Sequence, residues 1–140
     1  MPAAETERAG RRLMEVLDSG DWSRADEFIA TDIVMFHPSS PDPIRGREAV
    51  QGFLSLFRAG FPDLRLVIQD LAVGDDKVAI KWRAHGTHTA DLFGIPPTGK
   101  TMDIMGISFL KVAGGKVVED TVVEDTLGMF RQIGITPPMS

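Results

Sequence analysis

The feature that most constrains the fold is a change of hydrophobic period at Phe61-Pro62-Asp63. Before this turn, apolar residues recur at the spacing of a helix; after it, they alternate with polar residues over four long segments. In the clearest segment, Val78, Ile80, Trp82 and Ala84 alternate with lysine and arginine. Such alternation predicts strands with one buried and one solvated face. We therefore expect a sheet from the second half of the chain.

Short turn sequences fix the direction of these strands. Gly74-Asp75-Asp76 and Gly114-Gly115 are typical of tight hairpins, so the strands that they join should be antiparallel. A longer loop rich in Gly and Pro, Thr89 to Lys100, separates the second strand from the third. The predicted strands are Leu64–Val73, Lys77–His88, Thr101–Val112 and Lys116–Val123.

The rest of the chain predicts helices and one short strand. The helices are Glu5–Leu17, a short one after Asp21 that holds Ala25, Phe28 and Ile29, then Arg47–Phe61 and Asp125–Ile133, and the short strand is Ile33–Phe36. Helices followed by an antiparallel meander indicate an α+β domain. A long sheet curves, and helices laid across its concave face would leave a cone-shaped, apolar pocket for a small molecule.

Composition excludes several classes of function. The chain has 140 residues, enough for one domain, and a net charge of −5, which disfavours a nucleic-acid partner. It has no cysteine, and its three histidines lack the spacing of metal ligands, so we expect neither a disulfide nor a metal site. Its apolar runs are far too short to span a bilayer, and the N-terminus lacks the apolar stretch of a signal peptide. We expect a cytoplasmic protein with no membrane partner.

Four short stretches carry a resemblance to a known family. They are Gly86–Ala90 (GTHTA), Gly94–Lys100 (GIPPTGK), Gly115–Glu119 (GKVVE) and Asp125–Gly134 (DTLGMFRQIG). In this order and spacing they resemble the SnoaL-like polyketide cyclases of the nuclear transport factor 2-like superfamily, from about Arg12 to Gly134. The resemblance implies a single domain over residues 1–140, a cone-shaped α+β barrel, and a homodimer or homotetramer. It also implies a small hydrophobic aromatic substrate and chemistry without a metal or organic cofactor.

The same resemblance implies two catalytic residues that this chain lacks. The family's acid/base aspartate lies six residues after the lysine of Gly-Lys, which is Val122 here. Its partner histidine lies seven residues before that glycine, which is Ser108. Valine cannot transfer a proton, and serine is a poor base near neutral pH. Any proton chemistry must therefore come from other side chains.

Two carboxylates are candidates for that role. If Val122 faces the pocket, strand alternation places Asp120 and Glu124 on the same face. Burial would raise the pKa of Asp120, which would suit a general base near neutral pH. The alternative is that both belong to the solvated face. Asp125 is the second candidate catalytic residue, although its place before the last helix also suits an N-cap.

Two histidines and a set of apolar residues complete the predicted site. His37 ends the first strand, and His88 continues the inward alternation of Trp82 and Ala84. Neutral imidazole can take or supply a proton at pH 7, although either histidine could serve a structural hydrogen bond instead. Trp82 could stack on a flat polycyclic substrate. The predicted substrate-binding residues, the apolar ones of which could equally be core, are Leu17, Phe53, Phe57, Trp82, Met105, Ser108 and Val122.

Three functions are compatible with these observations. The first is a cofactor-free enzyme that closes a ring in an aromatic polyketide or similar hydrophobic metabolite by an aldol reaction, with Asp120 helped by His37 or His88. The second is a cofactor-independent hydroxylase of a polycyclic polyketide, which the loss of the family's pair at Val122 and Ser108 favours. The third is a carrier or sensor without catalysis.

Overall fold

The predicted meander forms most of a six-stranded sheet in a computed structural model that describes residues 2–135. The strands are β1 (Ile29–Phe36), β2 (Ile44–Arg45), β3 (Arg65–Val73), β4 (Lys77–Thr87), β5 (Thr101–Ala113) and β6 (Lys116–Glu124). The helices are α1 (Ala3–Ser19), α2 (Arg47–Gly60) and α3 (Thr126–Gln132). The order of the strands across the sheet is β2-β1-β6-β5-β4-β3. The architecture is α+β, as predicted.

Tight turns join the antiparallel strands of the meander. β3 pairs with β4, β4 with β5 and β5 with β6, all antiparallel. The β5–β6 turn has positive φ at both Gly114 (59°) and Gly115 (77°), a conformation that glycine adopts without steric cost. Two successive residues with positive φ are typical of a type I′ hairpin, whose twist matches that of the strands.

The first strand extends the sheet beyond the predicted meander. β1 runs parallel to β6, so the sheet is mixed. Parallel neighbours require a long connection, which the chain supplies because β2, α2 and three strands lie between β1 and β6. β2 and β3 are the two edges, so the sheet stays open rather than closing into a barrel.

Local boundaries differ from the predictions near Ala25. The predicted short helix is a three-residue 3₁₀ turn, Ala25–Glu27, because the chain already enters β1 at Ile29. Asp21 accepts a hydrogen bond from the backbone N–H of Ser23 and thus stabilises the turn that precedes it. The early start of β1 adds two buried residues, Ile29 and Ala30, to the strand.

The helices cover one face of the sheet and enclose the core. α1 lies so close to the sheet that a Cβ on its Gly10 would meet Val78 at 2.9 Å. Along β5, the residues that face the helices are buried and the alternate residues are exposed. None of the helices within residues 2–135 is long and apolar enough to cross a membrane.

Candidate functional site

A cavity of about 170 Å³ lies between the sheet and the helices. Gly20 and Ser55, which are exposed, are among its lining residues, so the cavity opens to solvent between the end of α1 and α2. Most of its wall is apolar. The lining residues are Val16, Leu17, Gly20, Trp22, Met35, His37, Leu54, Ser55, Phe57, Arg58, Leu64, Leu66, Trp82, Ala84, Met102, Ile104, Ser108, Asp120, Val122, Glu124 and Met129.

Asp120 is a carboxyl group buried in this wall. It lies on β6 between Met35 of β1 and Leu110 of β5, and only 1% of the residue is exposed. Within residues 2–135, its Oδ1 has no hydrogen-bond partner. Burial away from water disfavours the ionised carboxylate and raises the pKa of Asp120 to about 7. The group can therefore both take and release a proton near neutral pH.

A second polar unit joins β1 to β6. The chain leaves β1 at His37, whose Nε2 lies 2.8 Å from Oε1 of Glu124. The backbone N–H of Ser39 donates to Nδ1 of His37, which places the imidazole proton on Nε2. His37 therefore donates to Glu124 and fixes the orientation of this buried carboxylate in the cavity wall.

Aromatic rings hold His37 in place from the α2 side. Its ring centroid is 4.9 Å from that of Phe53 and 5.3 Å from that of Phe57. Phe57 lines the cavity, whereas Phe53 does not. Phe53, a predicted substrate-binding residue, lies outside the set of lining residues and packs its ring edge-on against His37.

Trp82 and Ser108 form a third polar contact in the wall. Trp82 Nε1 donates to Ser108 Oγ over 3.0 Å, and both residues are buried. Ser108 lies directly across the β5–β6 pair from Val122. Asp120 precedes Val122 by two residues and Glu124 follows it by two, so these three side chains share the inner face.

Two further predicted residues, Met105 and Asp125, lie outside the cavity and are exposed. Met105 is exposed, because the inner face of β5 carries Met102, Ile104 and Ser108, and alternation turns Met105 outward. Asp125 is an exposed N-cap, and its Oδ1 accepts from the backbone N–H of Gly128 at the start of α3.

His88 is buried but faces another part of the protein. β4 ends at Thr87, so the alternation that predicted an inward His88 stops there. Its ring lies 5.6 Å from that of Phe61, and Nδ1 accepts from the backbone N–H of Thr98. His88 therefore attaches the loop between β4 and β5 to the core.

The sequence matches a known family over most of its length. The model of the family described as SnoaL-like polyketide cyclase matches residues 7–133. The chain belongs to this family. The family's acid/base positions, carried over as Val122 and Ser108, both lie in the cavity wall, so the departure from the family pattern falls inside the site.

Solved structures of SnoaL-like proteins share the fold. A candidate SnoaL-like polyketide cyclase from Jannaschia sp. CCS1 has a TM-score of 0.86 and 23% identity, over 98% of this chain and 97% of that chain. IdmH, a candidate polyketide cyclase from Streptomyces antibioticus, has a TM-score of 0.80 and 30% identity, over 93% and 99%. AclR, a candidate hydroxylase from Streptomyces galilaeus, has a TM-score of 0.82 and 22% identity, over 99% and 90%. A comparison with curated proteins gives no significant match.

Sequence reasoning did not find the partner of Glu124 in this SnoaL-like site, and it missed Arg58. The pairing of Glu124 with His37 joins residues 87 positions apart, which strand periodicity cannot connect. Arg58 lines the cavity and donates through Nη2 to the carbonyls of Leu17 and Asp18, at the end of α1. The one signal in the sequence for Glu124 was that it lies on the same face of β6 as Val122.

Proposed function

We propose that this protein is a cofactor-free enzyme that closes a ring in an aromatic polyketide or similar hydrophobic metabolite by aldol chemistry. The observation that carries the proposal is Asp120, a buried carboxyl group in a mostly apolar cavity, whose Oδ1 has no hydrogen-bond partner within residues 2–135. A carboxyl group with a pKa of about 7 is present in comparable amounts as acid and as base at neutral pH. Membership of the SnoaL-like family agrees with this reaction class.

Asp120 can perform both proton transfers of an aldol closure. Its carboxylate takes a proton from the carbon beside a substrate carbonyl, and an enolate forms. The enolate carbon attacks a second carbonyl carbon, which forms the new C–C bond and leaves an alkoxide. The protonated Asp120 then returns its proton to that alkoxide. Because one group first accepts and then donates, a pKa near the working pH is favourable for both steps.

Glu124 and Trp82 are suited to hold the substrate. Glu124, oriented by His37, can accept a hydrogen bond from a substrate hydroxyl. Trp82 offers an aromatic surface in the wall. A volume of about 170 Å³ is close to that of cavities known to hold a single benzene ring. We infer that the reacting ring enters the cavity while the rest of a polycyclic substrate lies at its mouth.

The test measures the rate of ring closure in an anthraquinone that carries a β-keto ester side chain. We expect kcat/KM to increase about tenfold per pH unit below about pH 7, where Asp120 is protonated, and to level off above it. Asp120→Asn should reduce kcat by a factor of about 100 or more, whereas Asp125→Asn should keep it. Absence of turnover above the buffer rate would overturn the proposal.

The same assay separates the two alternatives. Oxygen-dependent turnover that stops under strict anaerobiosis would indicate the hydroxylase, which the loss of the family pair at Val122 and Ser108 favours. A ligand that stays bound through purification and gives no product would indicate a carrier or sensor. Ring closure that proceeds equally without oxygen would support the cyclase.

A further inference from the structure

The hydroxyl group of Ser108 carries a proton that no hydrogen bond within residues 2–135 uses. A serine hydroxyl has one proton to donate and two lone pairs to accept with. Trp82 Nε1, which can only donate, occupies one lone pair of Ser108 Oγ. The proton of the hydroxyl must therefore point elsewhere, and within residues 2–135 Ser108 makes no other side-chain hydrogen bond.

The pairing of β4 with β5 keeps the indole of Trp82 in this position. Trp82 pairs with Gly106 across β4 and β5, two residues before Ser108. A Cβ on Gly106 would clash with the indole ring of Trp82, so only glycine leaves room for the ring to lie across β5. The ring thereby reaches Ser108, and both side chains line the cavity that holds Asp120.

We propose that Ser108, with its hydroxyl held by Trp82, donates a hydrogen bond to the carbonyl oxygen that becomes the enolate oxygen of the substrate. The inference rests on the proposed function, because it gives that reaction its missing oxyanion donor. The ligand class is a planar aromatic compound with a carbonyl or an ionisable phenol. The donor occupies the position at which the family resemblance implies a histidine.

The donor acts on the charge that forms during proton removal. When Asp120 takes the proton, the C–H electron pair forms a C=C bond and the carbonyl π pair moves to oxygen. The Ser108 hydroxyl donates to this oxygen, and the N–H of Trp82 strengthens that bond by polarising the hydroxyl. In a mostly apolar cavity such a bond favours the enolate more than the neutral carbonyl. When the C–C bond forms, the oxygen becomes a neutral carbonyl again, and Asp120 returns the proton to the new alkoxide.

The first experiment measures the ionisation of a bound probe and needs no turnover. The probe is 2-hydroxyanthraquinone, whose visible absorption changes when its phenol loses a proton. A donor in the site favours the bound phenolate, so Ser108→Ala should raise the pKa of the bound phenol by about one unit relative to wild type. Ser108→Thr, which keeps a hydroxyl, should restore the wild-type value, and Trp82→Phe should give an intermediate one. Thr101→Ala, which removes an exposed hydroxyl from the same strand, is the matched control.

The second experiment measures ring closure by the same variants. Removal of one oxyanion donor typically lowers kcat by a factor of about 100, with KM little changed. If the bound phenol has the same pKa in wild type and in Ser108→Ala, the donor role of Ser108 is overturned, even if the enzyme is active. Failure of the probe to bind the wild-type protein would also overturn the donor role of Ser108. If the pKa of the bound phenol depends on Ser108 but the protein closes no ring, the donor role is supported and the proposed function is overturned.

Discussion

At the scale of single residues, Asp120 makes the stability of the protein depend on pH. Its pKa is raised from 3.8 to about 7, so between these values the folded protein holds a proton that the unfolded chain has released. The free energy of unfolding must therefore decrease as the pH rises from about 4 to about 7, and then level off. The full effect of such a shift is roughly 4 kcal/mol.

Urea denaturation of wild type and Asp120→Asn over this pH range isolates the contribution of Asp120 to the free energy of unfolding. An amide does not ionise, so the stability of the variant relative to wild type should increase steadily from pH 4 to pH 7. Other titrating groups contribute equally to both proteins and cancel. A difference that stays constant with pH would show that Asp120 ionises normally.

The residue scale is also where sequence reasoning was least complete. Strand alternation could place Asp120 on the same face as Val122, and the family resemblance placed Val122 and Ser108 in the site. Met105 could not be placed, because β5 carries apolar residues on both faces and the pattern does not say which face is inward. The His37–Glu124 pair depends on the parallel pairing of β1 with β6, which no local pattern encodes.

At the scale of elements, the N-cap of α3 contributes stability that can be measured separately from activity. Asp125 accepts from the backbone N–H of Gly128, which would otherwise lack a partner at the helix start. Asp125→Ala should reduce the free energy of unfolding by about 1 kcal/mol, and Asp125→Ser should retain most of it. Ring closure should be kept in both variants, measured under conditions where they are folded. A large loss of activity in Asp125→Ser would return this residue to the catalytic candidates.

The loop between β4 and β5 contacts the cavity wall through one aromatic ring. Phe93 is largely exposed, yet its ring lies edge-on to that of Phe57 at 5.1 Å. Phe57 in turn contacts His37, so the loop supports the wall that holds the His37–Glu124 pair. Phe93→Ala should raise KM for an aromatic substrate about two- to tenfold, with kcat largely kept. Leu56→Ala, at an exposed position on α2 outside the cavity, is the control, and equal KM values in the two variants would contradict this role.

The elements themselves were the most predictable part of the molecule. Alternation over eight or more residues and the two hairpin turns fixed β3 to β6 within two residues at either end. The order of the sheet could not be derived in the same way. The pattern that predicts β1 covers only Ile33–Phe36. The strand lies far from β6 along the chain, so its pairing with β6 depends on the whole fold.

At the scale of the whole molecule, the outer face of the sheet remains uncovered. Met105, Ile107 and Phe109 of β5 and Val123 of β6 are exposed there, the last at 67%. Ile107 and Val123 are cross-strand partners, so the four side chains form one apolar patch. Two ion pairs lie beside it: Arg83–Asp103 joins β4 to β5, and Lys111–Glu119 joins β5 to β6. An apolar patch within a polar frame is typical of a surface that another protein chain covers.

We propose that a second copy of this chain covers the patch, as the family resemblance led us to expect of a homodimer or homotetramer. Sedimentation at micromolar concentration should then give at least twice the chain mass of 15.3 kDa. Ile107→Glu places a charge at the centre of the patch, where an interface would have to desolvate it, so this variant should sediment as a folded monomer. Leu56→Glu adds the same charge at an exposed position on α2 and should leave the assembly intact. A wild-type protein of 15.3 kDa under these conditions would show that the patch stays exposed to water, and the cavity on the opposite face would then function within a monomer.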